Sequence, residues 1–139
     1  MYQSYFENWE VKENFTKEYI SLWNGWLGKE SNKLELVTEH EWARFNELIR
    51  LIAKEYEIKV VNCGSETIED IENIEDTLSS YEVSMNKESS HFSKYLLPKL
   101  ECIITEEWDY TYILWHKKNG AAEKLFPLIK DANLEHFSG

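Results

Sequence analysis

Residues 101–118 read ECIITEEWDYTYILWHKK, and their composition decides the class of the fold. Two runs rich in β-branched and aromatic residues flank a polar centre. Such residues suit a pleated, half-buried backbone. The polar centre around residues 107–109 predicts a tight turn between two antiparallel strands. Working outward, Lys118, Asn119 and Gly120 are expected to close the hairpin, and residues 121–134 (AAEKLFPLIKDANL) to form a last helix. Pro127 within that helix should shorten or kink it.

Upstream, Thr38 and Glu41 have the spacing of a capping box. Trp42, Phe45, Leu48, Ile49, Ile52 and Tyr56 follow at helical spacing, which predicts an amphipathic helix over residues 39–56. EIKVVNC at 57–63 switches to β-branched residues and reads as a strand. Phe15, Tyr19, Trp23 and Trp26 recur at near-helical intervals behind Asn14, with Gly28 as a stop, which predicts another helix. The polar stretch ending SSHFSKYLLPKL (89–100) is expected to hold a short helix broken near Pro98. The aromatic first ten residues carry no assignable element. No repeat or linker divides the chain, so the expectation is one α+β domain: several helices with a small, largely antiparallel sheet of three or four strands that includes the C-terminal hairpin.

Charge is the second informative feature. The 139 residues carry a formal net charge of -11, and residues 60–86 hold seven acids and no base. On a helical wheel, Ile68, Ile71, Ile74, Leu78 and Tyr81 fall on one arc and Glu66, Glu69, Glu72 and Asp76 on the opposite one. This predicts a helix with an oily inside and an acidic outside. Its like-charge neighbours each cost a few tenths of a kcal/mol. So acidic a chain is repelled by nucleic acid and by anionic membranes, and its natural partners are basic proteins, cations or nothing in particular, the acidic helix then being a solvated face that aids solubility. The lysines 117, 118 and 124 form the best basic cluster, which is too small for a nucleic-acid groove.

Catalytic patterns are mostly missing. His40-Glu41-Trp42-Ala43-Arg44 lacks the second His of a zinc-protease helix and puts a cation there instead. Glu57-Ile58-Lys59 has a form found in metal-dependent nucleases, but no Asp precedes it. Glu106, Glu107 and Asp109, with His116 further along, are the one cluster that could hold a cation or do acid–base work. Cys63 and Cys102 form no CxxC pair and are expected to be reduced thiols. Glycine-rich phosphate loops and GxSxG are absent, so neither catalytic residues, metal ligands nor cofactors are assigned. Residues 1–15 lack the pattern of a signal peptide and no apolar run reaches the ~18 residues of a membrane span, so the expected location is the cytoplasm.

The pair CIITEEWDYTYILWHKK (102–118) and AAEKLFPLIKDANLEHF (121–137) resembles the C-terminal ends of immunity proteins from bacterial polymorphic-toxin and contact-dependent inhibition systems. The resemblance covers the C-terminal third at the level of pattern and carries over no individual residue. It implies a non-enzymatic inhibitor that binds a basic, nuclease-like toxin domain, with the acidic helix standing in for phosphates. Partner-binding candidates are Glu66, Glu69, Glu72 and Asp76, rimmed by Trp108, Asp109 and Tyr110, where aromatic anchors and carboxylates could meet arginines. Two other readings are a nucleic-acid-mimicking anti-restriction protein and a small metal-dependent enzyme built on the 106–116 hairpin.

Overall fold

The computed structural model describes residues 1–88, 91–117 and 120–138. In chain order, a short helix α1 (Tyr2–Tyr5) leads into a small hairpin, β1 (Phe6–Glu7) and β2 (Glu10–Val11), and then into β3 (Thr16–Ser21). A loop and a 3-10 stretch, Gly28–Leu36, precede the long helix α2 (Glu39–Glu55). Next come β4 (Lys59–Asn62), β5 (Thr67–Asp70), a 3-10 turn at Ile74–Thr77, and α3 (Tyr81–Asn86). The chain ends with β6 (Lys94–Leu97), β7 (Cys102–Glu107), β8 (Thr111–His116), a 3-10 turn at Ala121–Leu125, α4 (Phe126–Asp131) and β9 (Glu135–Phe137). The fold is α+β, and among the described residues no helix is long and apolar enough to cross a membrane.

One antiparallel sheet in the order β5-β4-β6-β7-β8-β3-β9 organises the molecule, and β1 and β2 pair separately. Its seven strands exceed the three or four that the sequence predicts. On one face, Trp42, Phe45, Leu48, Ile49 and Ile52 of α2 pack with α4 against Ile20, Tyr95, Leu97, Ile104, Tyr112 and Leu114. Each such side chain, fully buried, contributes about 1.5–3 kcal/mol. On the other face, Tyr2, Phe6 and Phe15 of the N-terminal segment cover Val61, Leu96 and Ile103. β6 and β7 are therefore buried on both sides, which is why YLL and CII read as unbroken apolar runs rather than alternating ones. The N-terminal segment covers only part of this second face. Toward the β7–β8 turn, residues 22–36 cover the sheet instead and leave a hollow above it.

Several predicted elements are as expected. Thr38 and Glu41 form the capping box of α2, which runs Glu39–Glu55. The 57–63 strand is β4, and the hairpin pairs β7 with β8, Glu107 opposite Thr111. Others are corrected. Residues 15–26 are not a helix: Thr16–Ser21 is a strand held between β8 and β9. Phe15 and Tyr19 are four apart, a spacing that puts both on one side of a strand as readily as of a helix. The acidic segment is not a helix either. It is the β5 edge strand, a 3-10 turn and the start of α3, with Asn73 and Ser80 capping the two helical pieces through hydrogen bonds to Glu75 N–H and Val83 N–H. These caps offer the backbone local partners in place of a continuous helix. Ile68 packs in the N-terminal cluster, whereas Ile71, Ile74, Leu78 and Tyr81 pack against the main core. The residues around Pro98 form strand β6, which ends just before the proline, instead of a broken helix. The last helix is shortened, as Pro127 suggests: a 3-10 turn, Ala121–Leu125, precedes α4 (Phe126–Asp131), and Pro127 lies in the first turn of α4, where its missing N–H costs no hydrogen bond. Ser89, Ser90, Lys118 and Asn119, which carry parts of the predicted short helix, hairpin closure and basic cluster, lie outside the described residues.

Candidate functional site

The hollow end of the sheet is built by the β7–β8 turn. Strand alternation sends Glu106 inward and Glu107 outward. Glu106 is 5% exposed and meets Lys87 Nζ at 2.8 Å while accepting the Ser93 N–H at 2.9 Å. That pair is largely buried, its side chains 10% and 4% exposed. Outside, Trp115 Nε1–H donates to Thr105 Oγ1 at 2.9 Å, and the Thr105 hydroxyl donates to Glu107 Oε2 at 2.8 Å. This short relay fixes the Glu107 carboxylate over this outward face.

The turn itself is strained. Asp109 and Tyr110 both have left-handed backbones, φ 58° and 57°, costing ~1–2 kcal/mol each for L-residues. Neighbours hold it there: the Thr111 hydroxyl donates to Asp109 O at 3.2 Å, and the Tyr110 ring packs edge-on against Trp23 and Trp42. Tyr110 Oη lies 3.4 Å from Tyr81 Oη, and burial together with that neighbour pushes its phenol up to about 12. With Tyr110 turned inward, Trp108 is turned out. It is 61% exposed and rests edge-on against Phe92, ring centres 4.7 Å apart.

Opposite the turn, residues 22–36 arch over the same face. Gly25 (φ 124°) and Gly28 (φ 51°) supply backbone conformations that side-chain-bearing residues rarely adopt. Between them Trp26, also 61% exposed, leans edge-on over Tyr19 at 4.7 Å and over Phe137 at 5.0 Å. Arch, sheet and turn enclose a cavity of about 420 Å³. Its floor is Tyr19, Ser21, Thr111 and Ile113, one wall is Trp23, Trp26, Leu27 and Leu34, and the other is Glu107, Trp108 and Asp109. Among the described residues no Lys, Arg or His lines it, and neither carboxylate is in an ion pair. Glu107 also lines a second hollow of about 520 Å³, where Lys12, Lys17 and Lys94 accompany Glu10 and Glu13, and where Lys17 Nζ stands 4.9 Å from the Trp115 ring centre.

Of the residues singled out in the sequence, Trp108 and Asp109 line the cavity, and Tyr110 braces it from behind. Glu66, Glu69, Glu72 and Asp76 are exposed but share no helical face. Glu66 sits in the β4–β5 turn at φ 54°, Glu69 is on edge strand β5, Glu72 follows that strand, and Asp76 is in the 3-10 turn. Their neighbours Asp70 and Glu75 are paired with Lys59 and Arg50, the latter in a two-pronged contact at 2.8 and 2.9 Å. Glu69 lines a further hollow with Trp9 and Phe92, the ring against which Trp108 rests. The 106–116 cluster is not assembled. Glu106 and Glu107 face opposite sides, and His116 lies a strand's length from Glu107, about 17 Å at ~3.4 Å per residue. Among the described residues no group of three or more His, Cys, Asp or Glu is placed to hold a metal ion. Cys63 and Cys102 are buried and unbridged, and burial pushes the Cys102 thiol up to about 12, away from the reactive thiolate.

The spacing of Tyr19, Trp23 and Trp26 predicts a helix, which hides their part in a cavity. The signal available was WNGWLG at 23–28, two tryptophans interleaved with two glycines. That composition belongs to a loop and not to a helix interior. Comparison of the chain with protein-family models, with curated proteins and with solved structures gives no match.

Proposed function

We propose that this chain is a non-enzymatic inhibitor of the immunity type, acting in the cytoplasm by binding a basic, nuclease-like toxin domain. The observation that supports this reading best is the hollow end of the sheet. Exposed Trp26 and Trp108 flank two carboxylates, Glu107 and Asp109, and among the described residues neither is in an ion pair. Aromatic anchors beside unpaired acids are the composition of a surface that receives basic side chains. Trp108 and Asp109 would make direct contact, and Tyr110 would hold the turn in shape. Glu66, Glu69, Glu72 and Asp76 would act at longer range, since exposed charges steer a basic partner toward encounter without being desolvated.

The test is capture from the native cell with the tagged chain, at low and then high salt. The expected result is one stoichiometric basic partner, released by salt, whose toxic or nuclease activity disappears when the purified chain is added back. Trp108→Ala should weaken that inhibition without altering the circular dichroism spectrum. An empty capture at both salt concentrations, or a partner equally active when bound, overturns the proposal.

A further inference from the structure

We infer that the cavity beneath the 22–36 arch is a receptor for the guanidinium group of a single arginine side chain. The inference rests on the reading of a basic partner for the source of that arginine, and on the cavity alone for its chemistry.

Three observations lead to it. The walls are mainly aromatic and aliphatic, yet Glu107 and Asp109 lie among them with no Lys, Arg or His in the lining among the described residues. A carboxylate at a half-apolar surface is better off with a cation than with a neutral ligand. The adjoining hollow marks the contrast: there the acids are accompanied by Lys12, Lys17 and Lys94, and Lys17 already occupies the face of Trp115 at 4.9 Å. The two hollows share Glu107, whose lysine neighbours lie on the second side, while Asp109 and the rings of Trp23, Trp26 and Trp108 line the first alone, with no cation beside them among the described residues. Finally, the volume of about 420 Å³ lies within the ~300–1,000 Å³ range of pockets that enclose a small ligand.

Guanidinium fits this set better than ammonium does. It is planar and weakly hydrated, stacks on aromatic rings, and presents a fork of N–H donors that matches a carboxylate. A lysine ammonium would give up a tighter hydration shell to enter between Trp26 and Trp108. The strained turn gives the site a fixed backbone: Asp109 and Tyr110 are held at positive φ by packing of the Tyr110 ring that is complete without any ligand.

The test uses the free chain, with Nα-acetyl-arginine methylamide as probe and the tryptophan indole N–H resonances as readout. The neutral isostere acetyl-citrulline methylamide and the acetyl-lysine methylamide serve as comparators. The arginine probe is expected to shift the Trp26 and Trp108 resonances saturably, with the citrulline probe about tenfold weaker, the size expected when a cation–π contact and an ion pair are lost together. The double variant Glu107→Gln, Asp109→Asn should reduce arginine to the level of citrulline. Both side chains reach the surface, and Trp26→Ala, tested separately, removes a wall at a residue already exposed. Equal binding of arginine and citrulline, equal binding of lysine, or an arginine response unchanged in these variants overturns the assignment. Failure of the probe with toxin inhibition intact would defeat the arginine site alone. A working probe with no inhibited partner would defeat the immunity reading alone.

Discussion

Asp109 and Gly25 stand on opposite sides of one cavity, and both depend on positive φ, but in different ways. Asp109 is a short polar residue that tolerates the left-handed region, and packing of Tyr110 against Trp23 and Trp42 holds it there. Gly25, at φ 124°, lies where only glycine is at ease. A Cβ there would meet nothing within 4 Å, so any cost of Gly25→Ala is a backbone cost. That substitution is expected to destabilise the chain by about 1–3 kcal/mol, read from urea unfolding, and to move the Trp26 indole resonance as the arch relaxes. Unchanged stability with an unmoved Trp26 would mean that the arch does not need this conformation. At this scale the sequence told only part of the story. Trp108 and Asp109 were identifiable as turn residues, whereas the inward aim of Tyr110 was not, because φ at a single residue depends on what its ring can reach across the fold.

Among the elements, α2 is the one whose start is written most fully in local chemistry. Thr38 and Glu41 exchange hydrogen bonds across its first turn, the Glu41 carboxylate accepting from the Thr38 N–H at 2.9 Å and from the Thr38 hydroxyl. The hydroxyl bond first, then the backbone bonds, draw the Glu41 carboxyl down to about 2. In the unfolded chain an ordinary Glu titrates near ~4.3. A depressed folded value means that the cap's contribution is fully present above that pH and is lost as the pH falls through about 2. Unfolding midpoints measured between pH 5 and pH 2 should therefore fall more steeply for the wild type than for Glu41→Gln, which keeps a capping-box acceptor but does not titrate. Parallel curves would show that the cap does not contribute in this window. The β9 edge is held differently, by long-range bonds: Glu18 accepts from the Ser138 hydroxyl at 2.9 Å, and its other oxygen lies 2.6 Å from His136 Nδ1. No local window of sequence could connect residues so far apart.

For the molecule as a whole, the relevant quantity is where uncompensated charge lies. The segment from β4 through the 3-10 turn carries Glu66, Glu69, Glu72 and Asp76 exposed, while Asp70 and Glu75 are paired back onto Lys59 and Arg50. Changing the four exposed acids to Gln removes four of eleven net negative charges. Because none of the four is buried, the fold should be unaffected or slightly stabilised through reduced self-repulsion. The rate of association with a basic partner should fall and lose part of its salt dependence, while the dissociation rate changes little. Stopped-flow association at two ionic strengths checks this; an unchanged on-rate would leave these residues with solubility as their only role.

The sequence by itself determined those features whose physics is local. The capping box and apolar stripe of α2, the β-branched run of β4, the β7–β8 hairpin and the acidic excess of residues 60–86 all follow from neighbours a few positions apart. The α+β class follows from them too. Tertiary structure decided the rest. β3 is a strand because β8 and β9 offer it hydrogen-bond partners on both sides, and its four-residue aromatic spacing is compatible with either period. The acidic stretch is an edge strand and two capped turns because Val61 pairs with Ile68 and the later isoleucines pack on the opposite face of the sheet. The cavity exists because Trp26, from one end of the sequence, and Trp108, from the other, stand over the same end of the sheet. Partners and packing faces of this kind are properties of the assembled sheet, and no stretch of chain contains them before it folds.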